Sequence, residues 1–200
     1  MNIHVDCYPC MLNNIVKMSR FLGLDEDDIY QIVKFTLKEM ADTDREQTPP
    51  RIYRRVYDFL HNNFFSDQRV FDPYLDIKRW SNELALSFSD ALRKDVIEAH
   101  DPLLEALKVS AAGNIIDFGV KHFNRDQLKE EIEKIHTLSF HRIDIEAFRK
   151  QLEHAKTILF IGDNAGEIVF DRILIETMQK LSHNAEIVFA CREKPILNDV

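Results

Sequence analysis

Apolar residues recur at three- and four-residue intervals through about the first 155 positions, and cap residues interrupt them. That period belongs to amphipathic helices. The spacing predicts a first helix from about Pro9 to Leu22, with Leu12, Ile15, Val16 and Phe21 on one side and Gly23 closing it. Asp25 caps a second, whose stripe is Ile29, Ile32, Val33, Leu37 and Met40. Thr48-Pro49-Pro50 opens a third, since proline suits the first helical turn, and Ile52, Val56, Phe59 and Leu60 form its inner side. Asp72-Pro73 starts a long fourth helix through Leu92, and Asp101-Pro102 starts another toward Phe118. A charged helix is predicted from Asp126 to Ile135.

The period changes at Thr157. Thr157-Ile158-Leu159-Phe160-Ile161 is apolar, rich in β-formers and too short for a helix, so it predicts a strand buried on both faces. A helix from about Gly166 to Leu181 follows, with Ile168, Val169, Ile173 and Leu174 inward, and Glu186-Ile187-Val188-Phe189-Ala190 is a second strand. Strand, helix, strand is a right-handed βαβ unit. The expected fold class is therefore α/β: a helical N-terminal domain over residues 1–155, followed by a Rossmann-like parallel domain over 156–200. Two strands make a poor parallel sheet, so this domain reads as incomplete at the C-terminus. Further chain or another molecule, as in an oligomer, is expected to complete it.

Composition narrows the picture. Only 5 glycines and 6 prolines agree with long regular elements, and 45% hydrophobic residues suffice for a core. No apolar run approaches the roughly 20 residues that span a bilayer, and Met1 to Asp6 has no signal-peptide character. A cytoplasmic protein without a membrane partner is expected. The net charge of −8 argues against nucleic acid as a partner, and an anionic small molecule would need a local metal or basic group. Three cysteines are too few for a disulfide scaffold.

Candidate chemistry gathers after the first strand. Asp163 and Asn164 lie at its C-terminal end, where open α/β sheets bind ligands. The helix beyond them is expected to offer unpaired N–H groups and a positive dipole end to a phosphate, with Gly166 allowing close approach. Glu167 and Asp171, four apart, share a helical face. The second strand ends on the same edge and leads to Asp199, which topology permits to approach Asp163. Two carboxylates and an amide oxygen suit Mg²⁺ or Mn²⁺ better than zinc. The plainer reading is a capping turn.

Phe160 to Asp171, with Gly162-Asp163-Asn164-Ala165-Gly166-Glu167 at its centre, closely resembles the central motif of the DUF89 family, the ARMT1-like or damage-control phosphatases. Lys194-Pro195-Ile196-Leu197-Asn198-Asp199 resembles its second motif, and Ala112-Gly113-Asn114-Ile115-Ile116-Asp117-Phe118-Gly119 a third. Asp6-Cys7-Tyr8-Pro9-Cys10 is similar to the paired-cysteine signature of its mainly prokaryotic branch. The resemblance implies hydrolysis of phosphate esters of small metabolites, sugar phosphates or damaged phospho-metabolites. It also implies a divalent metal held by Asp163, Asn164 and Asp199: Mg²⁺ or Mn²⁺, with Co²⁺ or Ni²⁺ as substitutes. Water, or secondarily Asp163, would attack phosphorus, and Glu167 or Asp171 would orient that water. Gly166, Asn114, Asp117 and Lys194 are the candidate substrate-binding residues, with Arg192 a weaker one.

Other features have plainer readings. Cys7 and Cys10 are read chiefly as packing residues, with a redox or metal role second. Asn114 and Asp117 serve equally as interhelical hydrogen-bonding groups. His136 and His141 read as a solvated linker, and Arg51, Arg54 and Arg55 as a solvated helix face. Two other functions compete: an S-adenosylmethionine- or nucleotide-binding enzyme, disfavoured because the G-x-G-x-x-G glycines are missing, and a non-catalytic helical interaction module.

Overall fold

The computed structural model describes residues 3–115, 130, 134–182 and 184–200. The chain divides into two compact units: residues 1–73 with 195–197, and residues 74–194 with 198–200. The boundary expected near residue 155 falls inside the second unit.

Three helices build the first unit: α1 (Cys7–Phe21), α2 (Glu26–Ala41) and α3 (Pro49–Phe64). Asp25 caps α2 by accepting a hydrogen bond from the Asp28 N–H at 2.9 Å. The buried stripe of α1 is Met11, Ile15, Met18 and Ser19, so Leu12 and Val16 are only half-buried and Phe21 is exposed. In α2, Leu37 likewise faces outward and Thr36 lies within, its hydroxyl donating to the Ile32 carbonyl at 2.8 Å. The rotation has a simple cause. Apolar residues on neighbouring faces leave the stripe ambiguous by one position, and the partner helix decides. On α3 the inner face is Ile52, Tyr53, Val56, Tyr57 and Leu60, while Phe71 gathers the rings of Tyr57, His61 and Phe65. Cys10 is exposed and Cys7 half-buried, so Cys10 is not the packing residue expected of it. Arg54 and Arg55 pair with Asp58 and Glu39 on the surface of this unit.

The second unit is built from α4 (Leu75–Glu98), α5 (Pro102–Ile115), α6 (Ile145–His154), β1 (Thr157–Ile161), α7 (Glu167–Leu181) and β2 (Glu186–Ala190). Its α/β character is as predicted. β1 and β2 pair in parallel, with Thr157 opposite Glu186 and Ile161 opposite Ala190. Both α4 and α5 pack on α7 in one core that includes Leu92, Val96, Leu103, Val109, Phe170, Ile173 and Met178. Ile158, Phe160 and Ile187 close that core from the sheet side.

One expectation fails here, and one helix was not foreseen. The strands are not buried on both faces: Leu159 is 61% and Ile161 73% exposed, because α7 covers one face of the pair. Residues 145–154 form a helix that the periodicity did not predict, held by buried Leu152 and by Arg149, which donates to Asp101 at 2.8 Å. His141 is exposed and outside any helix, as expected, and His136 is exposed too, though two carboxylates lie within reach of it. Its ring lies between Asp95 on α4 and Glu105 on α5, at 3.4 and 2.5 Å. Of the charged helix predicted over 126–135, Ile135 begins a single 3₁₀ turn, and most of the rest lies outside the described residues. Among the described residues no helix is long and apolar enough to cross a membrane.

Phe170 is fully buried where α5 meets α7. Phe170→Ala should therefore cost about 3–5 kcal/mol of unfolding free energy in urea titrations. A loss under about 1 kcal/mol would show that this core does not hold the second unit together.

Candidate active site

The candidate residues sit on the loop from β1 to α7. Gly162 N–H donates to the Ala190 carbonyl at 2.8 Å, so the end of the ladder fixes where the loop departs. Gly166 then turns the chain into α7 with φ of +86°, a conformation costly for any residue bearing a Cβ.

A second stretch of chain runs alongside. Ala165 N–H donates to the Asn198 carbonyl at 2.9 Å, and Val200 N–H donates to the Asp163 carbonyl at 2.8 Å. Asn164 and Asp199 face each other in an isolated antiparallel bridge. The two sequence motifs therefore meet through their backbones, as the topology suggested. The side chains are a different matter. Asp199 is buried, and its carboxylate accepts a charge-assisted hydrogen bond from Arg192 Nε. Asp163 is exposed.

At the α7 N-terminus, three N–H groups find acceptors within the protein. Gly166 N–H donates to the side-chain oxygen of Asn82 on α4 at 2.7 Å, Ile168 N–H to the Asn164 carbonyl at 3.3 Å, and Val169 N–H to the Gly166 carbonyl at 3.2 Å. The helix start is thus capped from within the protein, by a residue distant in sequence and with no motif to mark it.

Glu167 and Asp171 do share a face of α7, and it is the inner one, with Glu167 9% and Asp171 3% exposed. Ser110 on α5 donates its hydroxyl to Asp171 Oδ1 at 2.6 Å. Contact across the helices needs close approach, which Gly113 provides: a Cβ there would lie 3.2 Å from both the Glu167 backbone and the Phe170 ring. The third motif thus contributes first through its glycine. Asn114 is exposed on the last turn of α5, and Asp117 lies outside the described residues. Lys194 is exposed at the end of this unit. Sequence reasoning missed Asn82 and Ser110; Ser110 alone left a signal, since Ala106, Ser110 and Gly113 line up as small residues on one side of α5.

Burial raises the Glu167 carboxyl above its ordinary range, and the charges of Asp171 and Asp163 add to it against an opposing hydrogen bond from Asn164. Asp171 is also raised by burial, partly offset by Ser110. Among the described residues no three His, Cys, Asp or Glu side chains form a metal cluster. The donors at hand are carboxylate and amide oxygens. Negative groups that raise one another's pKa, beside an amide oxygen, fit a hard divalent cation. Asp163 and Asn164 carry donors of that kind, while the Asp199 carboxylate is held by Arg192 in this structure.

Both raised carboxyls favour the protonated form on folding. Their contribution to stability is fully present below the unfolded pKa and is lost as pH rises through the folded one. In cation-free protein, Glu167→Gln should raise the melting temperature at pH 8 by a few degrees, the size that about 1 kcal/mol gives in a chain of this length. The gain should shrink at pH 4. An unchanged or lower melting temperature at pH 8 contradicts the assignment.

Comparison with known proteins agrees with the geometry. The sequence matches the model of the damage-control phosphatase ARMT1-like domain over residues 3–200. It is 30% identical over 204 residues to a damage-control phosphatase of Pyrococcus horikoshii, covering all of this chain and 67% of that protein. A damage-control phosphatase of Archaeoglobus fulgidus is 31% identical over 211 residues, again with 67% covered. The crystal structure of a DUF89 family protein from Pyrococcus horikoshii superposes with a TM-score of 0.84 at 30% identity, over 100% of this chain and 67% of that one. A 4'-phosphopantetheine phosphatase of Mus musculus is 26% identical over 146 residues, 64% of this chain and 17% of that protein. The chain thus spans about two thirds of the length of its archaeal relatives. With the Asp163-Asn164 loop in place and the match covering nearly every residue, this chain belongs to the ARMT1-like damage-control phosphatase family, DUF89.

Proposed function

We propose that the protein hydrolyses phosphate monoesters of small metabolites, sugar phosphates or damaged phospho-metabolites, using a divalent cation held by Asp163, Asn164 and Asp199. The observation that carries this reading is the bridge between Asn164 and Asp199, which sets both motifs side by side at the mouth of the β1–α7 loop. The names of the archaeal relatives and of the mouse phosphopantetheine phosphatase support the substrate class. When bound, the cation polarises a phosphoryl oxygen and offsets the charge that develops in the transition state; Mg²⁺ and Mn²⁺ suit the oxygen donors, with Co²⁺ and Ni²⁺ as substitutes.

The chain's own groups divide the remaining tasks. Glu167, hydrogen-bonded to Asn164 at 3.3 Å and with its pKa raised by burial, is the group we assign to accept the proton of an attacking water. As the new P–O bond forms, the ester P–O bond breaks and the alcohol leaves with a proton from solvent. Asp171, one turn further along the same face, adds by its charge to the rise of the Glu167 pKa and accepts a hydrogen bond from Ser110. Lys194, exposed and cationic, is the group we assign to substrate phosphate. The missing glycine fingerprint continues to argue against a nucleotide-binding alternative.

The test is a panel of sugar phosphates and p-nitrophenyl phosphate with Mg²⁺, Mn²⁺, Co²⁺ and Ni²⁺. Turnover should require the cation, and Asp163→Ala should lower kcat by at least about 100-fold, the scale on which removal of transition-state charge stabilisation is felt. Undiminished Mn²⁺ affinity in Asp163→Ala, measured by titration calorimetry, would refute the ligand assignment.

A further inference from the structure

We infer that Arg192 is an internal counter-ion of the cation site: its guanidinium holds the Asp199 carboxylate until a divalent cation takes that place, so cation entry and arginine release are one exchange. The inference rests on the cation reading above and adds a residue to it.

Asp199 is 8% exposed, and among the described residues Arg192 is its ion-pair partner. A carboxylate so buried is costly without a positive neighbour, so a group that neutralises it in the cation-free protein has a clear task. Arginine suits it, because its charge persists at every working pH and its planar fork matches a carboxylate. The two sides of the pair differ in burial. The Arg192 side chain is 48% exposed and that of Asp199 only 11%, so the guanidinium can turn into water while the carboxylate stays.

Backbone contacts keep the displaced arginine close. Arg192 N–H donates to the Val200 carbonyl at 3.1 Å, and Val200 N–H in turn donates to the Asp163 carbonyl. Arg192 also lines, with Gly162 and Asp163, a cavity of about 440 Å³ at the end of the two strands. The exchange therefore releases a cation onto the rim that carries Asp163. A divalent ion and a guanidinium cannot share one carboxylate without strong repulsion in a poorly solvated site.

The experiment measures Mn²⁺ affinity by titration calorimetry on the full chain, for wild type, Arg192→Gln, Asp199→Asn, the double variant and Asp163→Ala. Circular dichroism checks that each is folded. Arg192→Gln should bind Mn²⁺ roughly 5- to 100-fold more tightly than wild type, the usual range of coupling between competing interactions. That gain should vanish in the Asp199→Asn background, since the competition runs through this carboxylate. An equal gain in both backgrounds means a general charge effect and overturns the proposal. So does binding that depends on Asp163 but is unaffected by Arg192→Gln, a result that leaves the cation reading intact. If neither wild type nor any variant binds Mn²⁺, the cation reading falls and this proposal with it. Should Arg192→Gln fold poorly, Arg192→Lys keeps the charge and loses the fork. It should show a smaller gain, again abolished by Asp199→Asn, and no gain there overturns the proposal equally.

Discussion

Two carboxylates on the inner face of one helix set the terms for the second unit. Glu167 and Asp171 begin α7 on the side turned toward α5, where apolar residues would be expected. Keeping them there requires partners at short range. Ser110 supplies one, and it can reach only because Gly113 and Ala106 let the helices approach closely. The apolar mass that makes this tolerable is Phe170, Ile173, Leu174 and Met178 on the same helix, packed on α4 and α5. A purely structural helix would gain stability by exchanging both acids for apolar groups.

The same tension organises the loop before α7. Asp163 is left in solvent and Asp199 is buried, yet their backbones are joined by a short run of hydrogen bonds. The protein thus fixes the path of both segments with main-chain contacts, while the Asp199 side chain is held separately by Arg192. Asn82 completes the arrangement by taking the Gly166 N–H, which stiffens the turn.

Much of this was legible in the sequence, for physical reasons. The strand–helix–strand unit stood out because five-residue β-rich runs contrast sharply with long helical periods, and the Asp163-Asn164 loop fell where strand ends deliver side chains. The proximity of Asp199 followed from parallel topology. Asn82, by contrast, sits on α4 without any local pattern, and only tertiary packing reveals that its amide oxygen caps another helix. Helix α6 was missed because its short apolar stripe, Phe148 and Leu152, is diluted by charges, one of which, Arg149, is held by Asp101. The facing of Phe21 and Leu37 could not be read either, since adjacent apolar faces compete and the neighbouring helix settles the choice.

The one-sided burial of the strand pair has a consequence for motion. β1 and β2 lean on α7 through Ile158, Phe160 and Ile187, while Leu159, Ile161 and Val188 face solvent. Amide hydrogens of the buried helix would then exchange slowly and those of the ladder quickly, because local opening of two half-covered strands breaks few apolar contacts. The loop bearing Asp163 hangs between a stiff element and a soft one.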